Sequence, residues 1–156
     1  MKINLICMGH RSPSWVKEGF DEYAQRLPSH CRLNLIEIPL QKRTPHTDLS
    51  RLQRQEGKQM LEAIVPGTWV IALDERGQHW NSLQLAQQLA HWMQTHHTVS
   101  LLVGGPEGLA QECLQSAQQC WSLSFLTLPH QLVRIVVAEQ LYRAWSLLNH
   151  HPYHRG

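Results

Sequence analysis

Short apolar runs alternate along the chain with longer stretches in which apolar residues recur at helical spacing. The runs predict strands at residues 3–8, 33–38, 69–73, 99–103 and, roughly, 121–126. The stretches between them predict covering helices, so the pattern favours an α/β domain with a mostly parallel sheet flanked by helices. The fourth run is almost wholly apolar, which predicts a central place in that sheet.

Helix and turn signals separate these runs. The expected N-cap residues are Ser12 (before Pro13) and either Asn81 or Ser82, and a further helix is predicted from about Asp48. A helix is also predicted over residues 109–117, and a long one fills residues 132–148. The sequence Asp74-Glu75-Arg76-Gly77 predicts a turn after the third strand. No repeat or linker divides the chain, so we expect one domain over residues 1–156.

The composition is that of a folded protein. Hydrophobic residues make up 42% and charged residues 17% of the chain, which argues against disorder. No apolar run is long enough for a membrane span, and residues 1–7 lack the features of a signal peptide. The four cysteines form no Cys-x-x-Cys pair, which favours reduced, structural thiols. We therefore expect a cytoplasmic protein.

Positive charge is concentrated in the first part of the chain. The net charge is only +2, but residues 1–58 hold ten Lys and Arg against six acids. Several of the basic residues lie close together: Lys42, Arg43, Arg51, Arg54 and Lys58. Such a surface can bind a polyanion by releasing counterions. A solvated helix face explains the same pattern equally well, so the charge alone does not decide.

A glycine-rich segment follows the fourth predicted strand. Without a Cβ, the pair Gly104-Gly105 lets a ligand approach the backbone at the carboxyl end of the sheet, where ligands of α/β proteins gather. Neither the phosphate-loop nor the dinucleotide-binding motif is present. Glu107 would repel a phosphate but tolerate a cationic cofactor. The alternative is that Glu107 only caps the following helix.

Two further segments carry candidate chemistry. Residues 121–130 combine apolar side chains with hydroxyls, and a loop there would offer backbone groups to an adenine; the alternative is a buried strand. In the tail, Tyr153, His154 and Arg155 suit base stacking and phosphate pairing, unless this terminus is disordered. The tail histidines lack a nearby carboxylate or cysteine, so we predict no metal site.

Taken together, these segments resemble the ribosomal RNA large subunit methyltransferase H family of the SPOUT superfamily. The resemblance spans the chain and is strongest after Leu73. The residues that carry it are Gly104-Gly105-Pro106-Glu107-Gly108, Leu-Thr-Leu-Pro-His and Leu-Val-Arg within residues 121–145, and Asn149-His150-His151-Pro152-Tyr153-His154-Arg155. It implies an S-adenosylmethionine-dependent enzyme that methylates N3 of a pseudouridine in 23S ribosomal RNA, within the large subunit or the assembled ribosome.

The resemblance also implies a C-terminal trefoil knot, a homodimer and a particular cofactor pocket. The residues implied for that pocket are Leu73, Gly104, Leu123, Ser124, Phe125, Leu126, Thr127 and Leu128. For catalysis, residue chemistry and tail position suggest His154 as general base, Arg143 and Arg155 as anion or phosphate partners, and Tyr153 for stacking. A non-catalytic RNA-binding module and a metal-dependent hydrolase are the competing interpretations.

Overall fold

The structure of the protein is a computed structural model. It describes the backbone of residues 1–9 and 11–155, and the side chains of those residues except 154 and 155. The strands are β1 (Lys2–Met8), β2 (Arg32–Ile38), β3 (Trp69–His79), β4 (Thr98–Val103) and β5 (Gln119–Ser122). The helices are α1 (Ser14–Ala24), α2 (Leu49–Ala63), α3 (Ser82–Thr95), α4 (Gln111–Ser116) and α5 (His130–Leu148), followed by a 3₁₀ turn at Pro152–Arg155.

The strands form one parallel sheet in the order β2-β1-β4-β3-β5. Strand β4 lies between β1 and β3, so its predicted central position is confirmed. Leu5 of β1, for example, pairs with Leu35 on one side and with Leu101 on the other. Because the strands are parallel, their carboxyl ends meet at one edge of the sheet. The predicted α/β architecture with a helix-flanked parallel sheet is therefore confirmed.

The alternation of side chains along the strands divides the core into two clusters. Ile3 and Leu5 of β1 enter the cluster that is covered by α1, α3 and α5, whereas Ile6 and Met8 enter the cluster covered by α2 and α4. Residues two apart on a strand share a face, so this division follows directly from the sequence period. Trp92 of α3 is fully buried in the first cluster. Both faces of the sheet are thus shielded from water.

Two predicted boundaries at the third and fifth strands were wrong. The turn predicted at residues 74–77 does not end β3, which continues to His79; Trp121 of β5 pairs with both Leu73 and Gln78, so the intervening residues bulge out of the ladder. Strand β5 ends at Ser122, before the predicted boundary at 126. There the Ser122 hydroxyl donates to the Ser124 carbonyl at 3.2 Å, and Ser124 Oγ accepts from Leu126 N–H at 2.9 Å. Such local bonds compete with a strand ladder.

One of the two predicted helix caps was confirmed, at the start of α3, and α2 begins where a helix was predicted. Asp48 accepts from the Arg51 N–H, and Asn81 forms a reciprocal capping box with Gln84. Ser12 was wrong as a cap, since Pro13 occupies that position without a side-chain bond. The Ser12 hydroxyl donates to Glu37 instead. Helix α4 is also shorter than the predicted residues 109–117, because it begins only at Gln111.

The cysteines and helices agree with the remaining expectations from composition. All four cysteines are free thiols, and Cys7, Cys31 and Cys113 are buried. Burial raises the pKa of the Cys7 thiol to about 12, so it remains protonated at neutral pH. Within the described part of the chain, no helix has the length and apolar character that crossing a membrane requires.

Candidate functional site

A cleft of about 730 Å³ lies where β3, β4 and β5 end. Three segments line it: residues 73–76 from the bulge in β3, residues 103–109 after β4, and residues 121–130 between β5 and α5, with Val133 of α5 beside them. This is the carboxyl edge of a parallel sheet, the position at which open α/β sheets place their ligands. The volume falls in the range of small-molecule sites.

The glycine loop, Gly104–Gly108, folds back on itself at one wall of the cleft. Gly108 N–H donates to the Gly105 carbonyl at 2.9 Å, and the two residues form an isolated β-bridge. A Cβ on Gly104 would lie 2.4 Å from the Gly108 carbonyl carbon, a distance that no side chain tolerates. Gly108 itself has a φ of +78°, which favours glycine. The loop therefore depends on glycine for its close approach and for its turn.

The opposite wall is the segment 123–129, which belongs to neither β5 nor α5. Its backbone groups lie outside the sheet ladder; those bonded locally include the Ser124 carbonyl, the Leu126 N–H and the Pro129 carbonyl, which accepts from the Val133 N–H. Phe125 and Leu126 are 90% and 77% exposed. The Phe125 ring stacks on His79 at a centroid distance of 3.8 Å, which fixes the tip of this segment against the end of β3.

Every residue that the sequence implies for cofactor binding lines this cleft. They are Leu73, Gly104, Leu123, Ser124, Phe125, Leu126, Thr127 and Leu128. They come from three segments that are distant in sequence, and the sheet order brings them together because β3 has β4 on one side and β5 on the other. The cleft therefore assembles the predicted set in one place, while the binding role of each residue remains a prediction.

Asp74 and Arg76 supply charge at the rim of the cleft. Arg76 Nε donates to Asp74 Oδ1 at 2.9 Å, and the Arg76 N–H donates to the same oxygen at 2.9 Å. These bonds lower the pKa of the Asp74 carboxyl from its ordinary value despite its partial burial. Asp74 is therefore ionised at neutral pH. The sequence predicted only a turn at these residues and did not predict this ion pair.

Glu107 does not have one of the two roles considered from sequence. It does not cap α4, whose N-cap is Ala110. Its carboxylate is instead bound by Arg43, with Nε donating at 2.8 Å and a terminal nitrogen at 2.6 Å. Hydrogen bonding to Arg43 lowers the pKa of Glu107 and raises that of Arg43. The carboxylate is thus paired with a protein cation, and its tolerance of a cationic cofactor stays a prediction.

A second buried ion pair lies below the start of α5 and was not found from sequence. Arg134 has no exposed surface and donates to Glu37 at the end of β2 at 2.6 Å; it also donates to the Ser12 hydroxyl. Burial would raise the pKa of Glu37, but the hydrogen bonds from Arg134 and Ser12 outweigh it and lower the pKa. In the sequence, Arg134 stands out only as part of the Leu-Val-Arg motif of the family resemblance, and that motif does not indicate which residue pairs with it.

The predicted catalytic residues Arg143 and Tyr153 form a cluster away from the cleft. Both bind Glu139 of α5, with Arg143 donating at 2.7 Å and the Tyr153 hydroxyl at 2.9 Å. A helix rises about 1.5 Å per residue, so Glu139 lies roughly 9 Å along α5 from Val133, the last residue of that helix in the cleft lining. Burial and the bond to Glu139 raise the pKa of Tyr153 to about 12, so its hydroxyl stays protonated. Within one chain, the Tyr153 cluster therefore lies away from that chain's own cleft.

The other two predicted catalytic residues, His154 and Arg155, have side chains that lie outside the described residues. Their backbone belongs to the 3₁₀ turn Pro152–Arg155, which follows Asn149 and packs against α5. Within the described part of the chain, no group of three or more His, Cys, Asp or Glu residues could hold a metal ion. Since the side chain of His154 lies outside the described residues, the prediction of a metal-free site stays a prediction.

The sequence matches a family model described as "Predicted SPOUT methyltransferase" over residues 1–154. Ribosomal RNA large subunit methyltransferase H of Methylococcus capsulatus is 52% identical over 155 residues, covering 99% of this chain and 100% of that relative. The proteins of the same name from Marinomonas sp. and Azotobacter vinelandii have the same identity and coverage. The similarity thus extends over the whole length of these relatives.

Solved structures with distant sequences share the fold. A probable methylase family protein from Haemophilus influenzae superposes with a TM-score of 0.55 at 13% identity, over 97% of this chain and 69% of that chain. A probable methyltransferase from Bordetella pertussis gives a TM-score of 0.54 at 16% identity, over 91% of this chain and 95% of that chain. At such low identity these similarities concern the fold alone.

Proposed function

The chain belongs to the SPOUT methyltransferase family, and from this premise we propose that it methylates N3 of a pseudouridine in 23S ribosomal RNA. The observation that carries the proposal is the 52% identity, over full length, with proteins named ribosomal RNA large subunit methyltransferase H. The cleft supports it, because the residues expected to bind a cofactor line a single cavity at the carboxyl edge of the sheet.

S-adenosylmethionine is the methyl donor in this proposal, and when bound it supplies a methyl group on a positively charged sulfur. The residues present fit such a ligand. Gly104 has no Cβ at a point of close backbone contact, and the segment 123–129 offers backbone groups outside the sheet ladder. Leu73, Leu123 and Leu128 provide apolar walls for a nucleoside. Backbone recognition of this kind tolerates variation in the side chains.

Transfer to N3 requires that the acceptor nitrogen lose its proton and lie in line with the methyl group. Alignment supplies much of the acceleration. His154 is the proposed general base, and Arg143 and Arg155 would stabilise the anion or hold neighbouring phosphates. Tyr153, held protonated by burial and by Glu139, would stack on a base rather than act as an acid or base.

The proposed active unit is a homodimer in the cytoplasm, with a trefoil knot in the C-terminal part of each chain. The position of the Tyr153 cluster supports the dimer: Glu139, which binds Tyr153, lies roughly 9 Å along α5 from Val133, the last residue of that helix in the cleft lining. In a symmetric pair, the tail of one subunit can complete the cleft of the other.

The proposed substrate is ribosomal RNA within the large subunit or the assembled ribosome, and exposed basic residues support an RNA-binding face. Arg51, Arg54 and Lys58 are all exposed on one side of α2, and Lys42 is exposed in the preceding loop. Arg43, which the sequence grouped with them, is engaged by Glu56 and Glu107 and does not contribute to this face.

Two measurements test the proposal. Calorimetry with S-adenosylmethionine should show binding and thermal stabilisation; no heat and no stabilisation would favour a non-catalytic RNA-binding module. Mass spectrometry of 23S ribosomal RNA from a strain lacking the gene should show one methyl group lost and restored by complementation. EDTA should leave methyl transfer intact, because the proposed reaction requires no metal; stoichiometric zinc in the purified protein would instead favour a hydrolase.

A further inference from the structure

Arg43 lies in the loop between β2 and α2, and its guanidinium joins two carboxylates that are distant in sequence. It binds Glu107 of the glycine loop through two nitrogens, at 2.8 and 2.6 Å. It also binds Glu56 of α2 through two nitrogens, at 2.8 and 3.2 Å. Both contacts are two-pronged, the geometry in which arginine binds carboxylates most tightly and most specifically.

The Glu56 side of this bridge is a rigid anchor. Glu56 is 4% exposed on the packed face of α2, and its Oε2 also accepts from the Gln41 N–H at 3.1 Å. On the same helix, Gln53 donates to the Glu107 carbonyl at 2.9 Å. Gly57 packs so closely against Ala110 that a Cβ would lie 2.5 Å from the Ala110 side chain. Helix α2 is therefore the support against which the glycine loop rests.

The glycine loop, by contrast, has little of its own to hold it. Three of its five positions are glycine, so it gains few side-chain contacts and loses much backbone entropy on ordering. Within the loop, the Gly108-to-Gly105 hydrogen bond closes the turn but does not attach it to the sheet. The glycine loop is attached to α2 from outside, by the bond from Arg43, which is anchored on Glu56, to Glu107 and by the bond from Gln53.

On this evidence, and resting on the proposed function, we propose that Arg43 is a positioning residue that holds the glycine loop in the shape the methyl donor requires. Arg43 itself does not line the cleft, and it acts through Glu107, which does. Without the guanidinium, two carboxylates would face each other across the junction of loop and helix and repel. The loop would then open, and the close approach at Gly104 would be lost.

The test compares Arg43→Met with Lys17→Met. Arg43→Met should weaken S-adenosylmethionine binding by about 10-fold or more in calorimetry, since losing one well-made contact of this type corresponds to a factor of that size. In methyl-transfer assays it should raise the KM for the donor more than it lowers kcat. Lys17→Met removes a cation that is also ion-paired, to Asp21 of the same helix, but lies away from the cleft, so donor affinity should not change.

Two further variants separate positioning from general stability. Arg43→Lys should restore only part of the affinity, because one ammonium cannot bind both carboxylates with two prongs each. Adding Glu107→Gln to Arg43→Met removes the repulsion and should recover part of the affinity lost in the single variant. If Arg43 only stabilised the fold, the double variant would bind no better than the single one, and that result would overturn the proposal.

Hydrogen exchange of the peptide containing residues 103–110, measured without any ligand, tests whether Arg43 holds the glycine loop, independently of donor binding. Exchange should accelerate in Arg43→Met and in Glu107→Gln, which keeps the pairing of Arg43 with Glu56 and so remains informative should Arg43→Met fail to fold. Unchanged exchange in both would overturn the inference. Absence of donor binding by the wild-type protein would refute the proposed function. Accelerated exchange in the variants would still support the role of Arg43 in holding the glycine loop.

Discussion

At the scale of single residues, the fold contains a buried charged side chain, that of Arg134. Arg134 is completely buried, and it donates to Glu37 and to the Ser12 hydroxyl. A buried cation is tolerated only when it is paired, so removal of Glu37 leaves an uncompensated charge. The pair ties the first turn of α5, adjacent to the cleft, to the end of β2 and to the loop before α1.

We predict that Glu37→Gln lowers the free energy of unfolding at pH 7 by about 2 kcal/mol, below the range for a fully buried pair because the Glu37 side chain is 29% exposed. Since the native state lowers the pKa of Glu37, the stabilisation is present above the ordinary carboxyl value of 4.5 and is lost as the pH falls through the native value. Urea denaturation of both proteins between pH 7 and pH 3 measures the difference, which should shrink in acid.

Glu22→Gln is the matched control, since Glu22 pairs with Arg26 on the exposed side of α1. It should leave the free energy of unfolding nearly unchanged at every pH. A Glu37→Gln deficit that persisted unaltered at pH 3 would show that the carboxylate charge is not its cause.

We predict that Gly104→Ala abolishes donor binding. The added Cβ would lie 2.4 Å from the Gly108 carbonyl carbon and 2.5 Å from the Leu109 nitrogen, both backbone atoms that cannot rotate away. Gly67→Ala is the control: its φ of +80° makes alanine strained, but nothing lies within 4 Å and the residue is not in the cleft lining. Calorimetry should show binding by the control and none by Gly104→Ala; equal affinity would contradict the steric argument.

Residue identity predicted which segments form the cleft, but not how their charges pair. The missing Cβ of Gly104 was visible in the sequence, and it occurs at the closest backbone contact of the glycine loop. The partner of Glu107 was not visible, because Arg43 lies 64 residues away and looked like part of a basic surface. Ion pairs depend on chain crossings that periodicity does not encode.

At the scale of elements, local signals succeeded where the backbone had a local partner. The capping box at Asn81 and Gln84 uses groups three residues apart, so the sequence was sufficient to predict the start of α3. The end of β5 depended on hydroxyl groups that compete with the ladder, and the bulge of β3 depended on Gly77, whose missing Cβ lets the Cys120 and Trp121 backbone approach. The bulge comes from pairing between strands that are distant in sequence, and the end of β5 from a competition between local bonds and that pairing.

We predict that Asn81→Ala lowers the free energy of unfolding by about 1 kcal/mol while donor affinity is preserved. The substitution removes the acceptor for the Gln84 N–H at the start of α3, which lies outside the cleft lining. Thermal denaturation and calorimetry on the same preparation separate the two effects. Ser82→Ala, at the next exposed position, is the control and should be neutral; a loss of donor affinity in Asn81→Ala would indicate that α3 supports the site more directly than its position suggests.

At the scale of the whole molecule, the sheet order determines where the site lies. Alternating strands and helices predicted a parallel sheet, and the apolar fourth run predicted its centre, which β4 occupies. The full order could not be derived, because hydrophobic pattern reports burial and not neighbours. That order places β3 between β4 and β5, and so brings the glycine loop opposite the segment 123–129.

The same scale separates the cleft from the predicted catalytic tail. Tyr153 is held to Glu139 at 2.9 Å, roughly 9 Å along α5 from Val133 of the cleft lining, so within one chain the tail would have to detach to reach the cleft. A symmetric dimer avoids that cost, since the tail of one subunit can stay docked on α5 while facing the cleft of the other. This arrangement makes a prediction that no single-chain mechanism makes.

We predict that a heterodimer of Gly104→Ala and His154→Ala chains is active although each homodimer is inactive. Isolated with two different affinity tags, it holds one intact cleft facing one intact tail, so its rate of methyl transfer to ribosomal RNA should be about half that of the wild-type dimer. If each tail served its own cleft, one chain would lack the donor site and the other the base, and the heterodimer would be as inactive as the parents. Activity near zero would therefore exclude assembly of the site from two subunits.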